Sequence, residues 1–163
     1  MKVIFLDVDG VLNSDFWNDT HQKEISDGTL IDEEKVKLFG QLVRNTCAKI
    51  ILHSGWKFWF DSEIKPVRRE AEHLISMLEK EGIKISGVTP DHTTEEIRKN
   101  KKFSLVKASE ILAWVSQYGN IEKWIVIDDL DLHNEEIRKH QILTDARIGL
   151  TVENICEAER MLL

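Results

Sequence analysis

The sequence predicts an α/β fold, a three-layer sandwich built around a mainly parallel five-stranded sheet. Three observations carry this. Apolar, β-branched runs alternate with segments of helical periodicity along the whole chain, the pattern of successive βα units. The apolar runs are continuous, as in strands buried on both faces. The length, 163 residues, suits one domain with one core, spanning 1–163. No repeat, low-complexity stretch or Pro/Gly/Ser linker divides it.

The elements follow in order. Lys2 to Leu6 is the first strand. Asp32 to Thr46 reads as a helix, with Asp32 as its cap, Glu33 and Glu34 facing the N-terminal dipole, and Val36, Phe39, Val43 and Thr46 at helical spacing. Lys49 to Leu52 is a second short strand. Ser62 to Glu81 again has helical periodicity, with Val67, Ala71, Leu74, Ile75 and Leu78 on one side and Gly82 as a stop. Ile83 to Val88 is the third strand, and Thr89-Pro90 opens a polar loop. Leu105 to Tyr118 is a helix with Ala108, Ile111, Leu112 and Val115 inward, ended by Gly119. Trp124 to Ile127 is the fourth strand, Gln141 to Leu143 a short fifth. Thr151 caps a last helix carrying Ile155, Ala158 and Leu162.

Composition narrows the function classes. A formal net charge of −7 argues against a protein that coats nucleic acid or a membrane surface nonspecifically. No apolar run approaches the roughly 20 residues of a membrane-spanning helix. The opening residues lack the pattern of a signal peptide. Cys47 and Cys156 sit singly and far apart, without the spacing of a zinc site, and read as reduced thiols. Together these features predict a cytoplasmic protein.

Chemistry concentrates at strand ends, where parallel sheets bind ligands. The first strand runs into Asp7-Val8-Asp9-Gly10. Residues two apart in an extended segment lie roughly 6–7 Å apart on one side. Two carboxylates at ~6 Å repel by roughly 3 kcal/mol at an effective dielectric of ~20, a cost that a divalent cation offsets. Gly10 permits a sharp departure of the backbone. The second strand ends in His53-Ser54-Gly55-Trp56, where a hydroxyl and backbone N–H groups can meet a phosphate oxygen. The fourth ends in Ile127-Asp128-Asp129-Leu130-Asp131, an acid density that suits Mg²⁺. Lys107, near the start of the helix before that strand, can neutralise a phosphate or a carboxylate. Each signal has a bland counterpart: a polar turn, a Ser-Gly turn, a capping aspartate, a solvated lysine.

The order Asp-x-Asp, Ser, Lys, Asp-Asp resembles the haloacid dehalogenase-like (HAD) hydrolase superfamily. Phe5-Leu6-Asp7-Val8-Asp9-Gly10-Val11-Leu12-Asn13, Ser54-Gly55-Trp56, Glu110-Ile111-x-x-Trp114 and Gly149-Leu150-Thr151 resemble small capless bacterial domains of that superfamily, related to the HAD domains of RNA-repair proteins. The resemblance implies a Rossmann-like fold without a full cap domain and a phosphatase using Mg²⁺. Asp7 is the implied nucleophile, forming an aspartyl-phosphate, and Asp9 the implied acid and base. Ser54, Gly55 and Lys107 are implied to bind the phosphoryl group. Asp7, Asp9 (through its carbonyl), Asp128 and Asp129 are implied at the metal, with Asp131 weaker. An acid at position 9 goes with phosphatases and phosphotransferases within the superfamily. Lys101 and Lys102 compete with Lys107 for the lysine role. His53 and Lys57 depart from the narrower group, which tends to have a small residue and an arginine there.

Where many members of that superfamily insert a cap, Asn13 to Asp32 has room only for a short flap and Trp56 to Lys107 is mostly one helix, a strand and a loop, so the resemblance implies an open site. Arg98, Lys99, Lys101 and Lys102 form a basic run, and Trp17, Trp56, Phe58 and Trp59 flank the first two motifs. Basic charge beside aromatics suits a nucleic-acid end, through phosphate contacts and stacking. The expected partner is thus a phosphorylated substrate, with a nucleic-acid end one candidate; neither a membrane nor a stable protein partner is implied. A small phosphorylated metabolite, a phosphoprotein, or a catalytically silent binding module on the same fold are the alternatives. A receiver-type phosphoacceptor has the acid pair and acceptor in the reverse order, and no P-loop run exists.

Overall fold

A computed structural model of the protein describes residues 1–26 and 30–163. Five parallel strands, β1 (Lys2–Leu6), β2 (Lys49–Leu52), β3 (Ile85–Val88), β4 (Lys123–Asp128) and β5 (Gln141–Leu143), form one sheet in the order β3-β2-β1-β4-β5. The chain steps outward from β1 to β3, then returns to the other side of β1. That reversal leaves a crevice beyond the carboxyl ends of β1 and β4, the place where open α/β sheets take ligands.

The helices are α1 (Asp15–Thr20), α2 (Gln22–Ser26), α3 (Glu33–Thr46), α4 (Arg69–Lys80), α5 (Glu95–Asn100), α6 (Phe103–Ser116), α7 (Glu135–Arg138) and α8 (Val152–Leu162), with a 3₁₀ helix at Gly55–Trp59. Two cores follow from the period-2 alternation of the strands. Ile4, Leu6, Ile50, Leu52, Ile125 and Ile127 face α3, α4 and α8. Val3, Phe5, Ile51 and Val126 face α6 and α7, where Phe5 meets Trp114 edge-on at 5.4 Å. The result is the expected three-layer sandwich.

The caps act as the sequence predicts. Asp32 accepts from the Glu34 N–H, and Thr151 forms a reciprocal capping box with Asn154. Gly82, at φ 72°, ends α4. Val43 is only partly buried beside its core neighbours.

One helix is shorter than its periodicity suggests. The helical reading from Ser62 starts only at Arg69. Pro66 lacks an N–H and disfavours helical backbone at Lys65. The Asp61 carboxylate instead accepts from the N–H groups of Glu63 and Lys65, which builds a turn. Val67, expected inward, is 60% exposed. The short helices α5 and α7 are additions to the predicted elements, and β3 starts two residues later than predicted. Cys47 and Cys156 are free and exposed. Between β1 and α3 the described residues make only α1 and α2; the expected flap also includes 27–29, outside the described residues. No helix of the described residues is long and apolar enough to cross a membrane.

Candidate active site

Because β1 and β4 are neighbours in register, Leu6 beside Ile127, the residues after them emerge side by side. The Asp7 N–H extends the ladder by donating to Ile127 O at 3.0 Å. Asp128 closes β4, and Asp129 follows it. One carboxylate oxygen from each of Asp7, Asp128 and Asp129 lies within 4.8 Å of the others. Lys107 reaches this cluster from α6, with Nζ 2.8 Å from Asp128 Oδ2 and 3.4 Å from Asp7 Oδ1. Asp128 is further fixed by the Leu130 N–H, at 2.9 Å from its Oδ1.

The electrostatics are those of crowded acids. Burial and the neighbouring Asp128 push the Asp7 carboxyl well above the usual carboxylate range, although Lys107 pulls the other way. Burial and Asp128 raise Asp129 as well. Burial opposes ionisation of Asp128 too, but the Lys107 ammonium and the Leu130 N–H hold it below the usual range. Burial disfavours the Lys107 ammonium, yet Asp7 and Asp128 outweigh it and its pKa is raised. One lysine therefore faces three acids. The uncompensated charge, on hard oxygen donors, fits a divalent cation.

Asp9 is placed differently from the sequence argument, which set its carboxylate against that of Asp7. Asp7 crowds Asp128 and Asp129 instead. The Asp9 carboxylate turns outward and is held by two neutral donors, Asn13 Nδ2 at 2.9 Å and Trp56 Nε1 at 3.1 Å. A metal role for Asp9 accordingly rests on its backbone carbonyl. The turn that separates the two acids needs Gly10, at φ 79°. A Cβ there would stand 2.5 Å from Asp129 Cγ, so the glycine also admits the third acid. Thr144 Oγ1 donates to Gly10 O at 2.8 Å and ties the turn to the chain after β5.

Ser54 caps the 3₁₀ helix, its Oγ accepting from the Trp56 N–H at 3.1 Å. Gly55 has nothing within 4 Å of where a Cβ would stand, so its backbone is open to close approach. His53 fills the space beneath, fully buried, with Nε2 3.6 Å from Asp128 Oδ2. Burial lowers its pKa to about 3, so the imidazole is neutral. Neither ring nitrogen makes a well-formed hydrogen bond. Lys57 is also buried. Its Nζ donates to Glu110 Oε2 at 2.7 Å, to Pro90 O at 2.9 Å and to Thr89 Oγ1 at 3.2 Å.

These parts surround an open cleft of about 500 Å³ lined by Asp7, Asp9, Ser54, Trp56, Lys107 and Asp129, with Gly55, Trp59 and Leu130. The model of the family described as the HAD domain in Swiss Army Knife RNA repair proteins matches residues 3–155. The chain belongs to this family. It is a HAD domain of hydrolase type. No curated protein and no solved structure matches the chain.

Of the residues singled out in sequence, the HAD domain brings Asp7, Asp9, Ser54, Gly55, Lys107 and Asp129 to one cleft, with Asp128 buried behind Lys107. Lys101 and Lys102 are exposed and form no ion pair among the described residues. Asp131 lies outside the acid cluster and caps a turn through the His133 N–H. Trp17 stacks on His21 at 4.5 Å, facing a separate groove. Sequence reasoning gave no role to Asn13, Thr144 or Glu110. Glu110 carried a signal, being an acid between Val106 and Ile111 on an otherwise apolar helix face.

Proposed function

We propose that this HAD domain is a Mg²⁺-dependent phosphomonoesterase that works through an aspartyl-phosphate on Asp7, and that its substrate is a bulky phosphate ester, a nucleic-acid end. The observation that carries the reading is the convergence of Asp7, Asp128, Asp129 and Lys107 at the carboxyl edge of the sheet. Asp7, Asp128 and Asp129, with the Asp9 carbonyl, would hold the cation. Bound there, it would supply positive charge against the phosphoryl oxygens.

The chain's own residues supply the remaining chemistry. An Asp7 oxygen attacks phosphorus as the bond to the leaving oxygen breaks, and Asp9 delivers a proton to that oxygen. Water then attacks the same phosphorus, giving its proton to Asp9, and Asp7 is released with inorganic phosphate. Asn13 and Trp56 fix the Asp9 carboxylate at the cleft mouth. Ser54 and the Gly55 backbone face the phosphoryl group, and Lys107 balances its charge without reorganising.

An open cleft with Trp56 and Trp59 in its wall, and the basic run from Arg98 to Lys102 nearby, supports a large anionic substrate with aromatic groups. The test is phosphate release from a generic aryl phosphate with Mg²⁺ and from 3′- and 5′-phosphorylated oligonucleotides, sugar phosphates and a phosphopeptide. Chelation, Asp7→Asn and Asp9→Asn should each lower turnover at least a hundredfold. Absence of turnover across the panel would sink the phosphatase reading and favour a silent binding module.

A further inference from the structure

Beside the catalytic cleft lies a second cavity of about 310 Å³, sharing Gly55 and Lys107 with it. The volume is at the small end of the ~300–1,000 Å³ typical of small-molecule sites, enough for one ring system. Two aromatic side chains in its wall, Phe58 and Phe103, are 53% and 44% exposed. Val106 adds apolar surface, and Arg98 stands at the same wall. Lys57 and Glu110 also line it but neutralise each other at 2.7 Å, and Lys107 is paired with Asp7 and Asp128, which leaves Arg98 as the cation of its wall without an ion pair. Arg98 makes no ion pair of its own among the described residues, and Lys99, Lys101 and Lys102 follow it on an exposed stretch.

We infer that this second cavity seats the terminal nucleobase of the substrate, stacked against Phe58 and Phe103, while Arg98 meets a backbone phosphate. The inference rests on the phosphatase reading of the adjoining cleft and specifies its leaving group. Continuity of the two cavities is the first argument. The ring of an aryl phosphate is one bond from the phosphate oxygen and would lie in the Asp7 cleft itself. A nucleobase is separated from the scissile phosphate by a ribose, the separation that two adjoining cavities provide. Charge is the second. An uncommitted arginine followed by three exposed lysines complements an additional phosphate, which a polynucleotide has and a sugar phosphate lacks. Exposed phenylalanines on the path from catalytic acids to basic run supply the sequence-tolerant stacking surface that single-stranded ends use.

The experiment uses the full chain and pairs of short oligonucleotides phosphorylated at the 3′ or 5′ end, one of each pair ending in a normal nucleoside and the other in an abasic residue. With Mg²⁺, kcat/KM should favour the base-bearing member by about tenfold or more, the order that one stacked base supplies. The preference should reside in KM. Phe58→Ala and Phe103→Ala should each reduce it, and the double variant should bring it close to one. Thermal melting checks that these surface substitutions leave the fold intact. Equal turnover of both members by the wild-type protein, an undiminished preference in the double variant, or a stronger preference for a phosphotyrosyl peptide would each overturn the base seat while keeping the phosphatase. Binding of the same pairs to Asp7→Asn protein, read by fluorescence anisotropy, needs no turnover. Tighter binding of the base-bearing member, lost in the Phe58 and Phe103 background, keeps the seat even where the phosphatase reading fails. Equal or absent binding of both overturns it.

Discussion

At the scale of single residues, the site is built by placing charge where it is costly. Asp7 is buried against Asp128, and its raised pKa means that its ionised form, without a compensating cation, opposes folding. The sign follows: for a carboxyl raised in the folded state, the stabilising contribution is complete below the ordinary carboxylate range and is lost as pH rises through the raised value. Asp128, held low, acts oppositely and only below that range. In a chelator, therefore, melting temperature should fall as pH rises from about 4, and Asp7→Asn should flatten that slope and melt higher near neutrality. Gly10 makes the second residue-scale prediction. Gly10→Ala adds a side chain at φ 79° and 2.5 Å from Asp129 Cγ. It should cost about 1–3 kcal/mol of stability in thermal denaturation and lower kcat by tenfold or more, because Asp129 must move. Gly10 was legible in sequence as a turn residue, since Asp-Gly after an apolar run has few other readings. Its second task, admitting Asp129, was not, because that contact joins segments far apart in the chain.

Among the elements, the Lys57–Glu110 pair does the joining. It links the 3₁₀ helix after Ser54, the loop after β3 and α6, which carries Lys107 one turn before Glu110. Glu110 Oε2 also accepts from the His92 N–H at 3.0 Å, so this loop is held at two points. Removing one partner strands a buried charge. Glu110→Leu should cost about 3–5 kcal/mol in denaturant unfolding, while Lys57→Met with Glu110→Leu should recover most of it. The double variant should still show a raised KM, because Ser54 and Lys107 lose their common anchor. Periodicity revealed α3, α6 and α8, whose stripes face the sheet. It overextended α4, because Ser62 to Arg68 keeps a helical rhythm that Pro66 and Asp61 override locally. In sequence Lys57 stands out only as a departure from the arginine of related domains, so the pair was hidden; Glu110 on an apolar face was the one clue.

For the molecule as a whole, the strand order explains why so much of the site was readable. Acids at the ends of a first and a fourth strand are distant in sequence, and only β1 beside β4 brings Asp7 to Asp128. Strand-end placement in an α/β pattern implies that meeting. The adjoining cavity has no such signature, since Phe58, Arg98 and Phe103 converge from three separate helices, the 3₁₀ helix, α5 and the start of α6. The proposed carrier of the phosphoryl group is Asp7, and this role has a direct chemical test. Asp9→Asn protein, in which hydrolysis of the intermediate is slowed, is reacted with a phosphorylated substrate and Mg²⁺. Acid quenching and peptide mass spectrometry then locate any bound phosphate. A hydroxylamine-sensitive acyl phosphate is expected on the peptide at Asp7, absent in Asp7→Asn. Phosphate on another residue, or full turnover by Asp7→Asn, would contradict it.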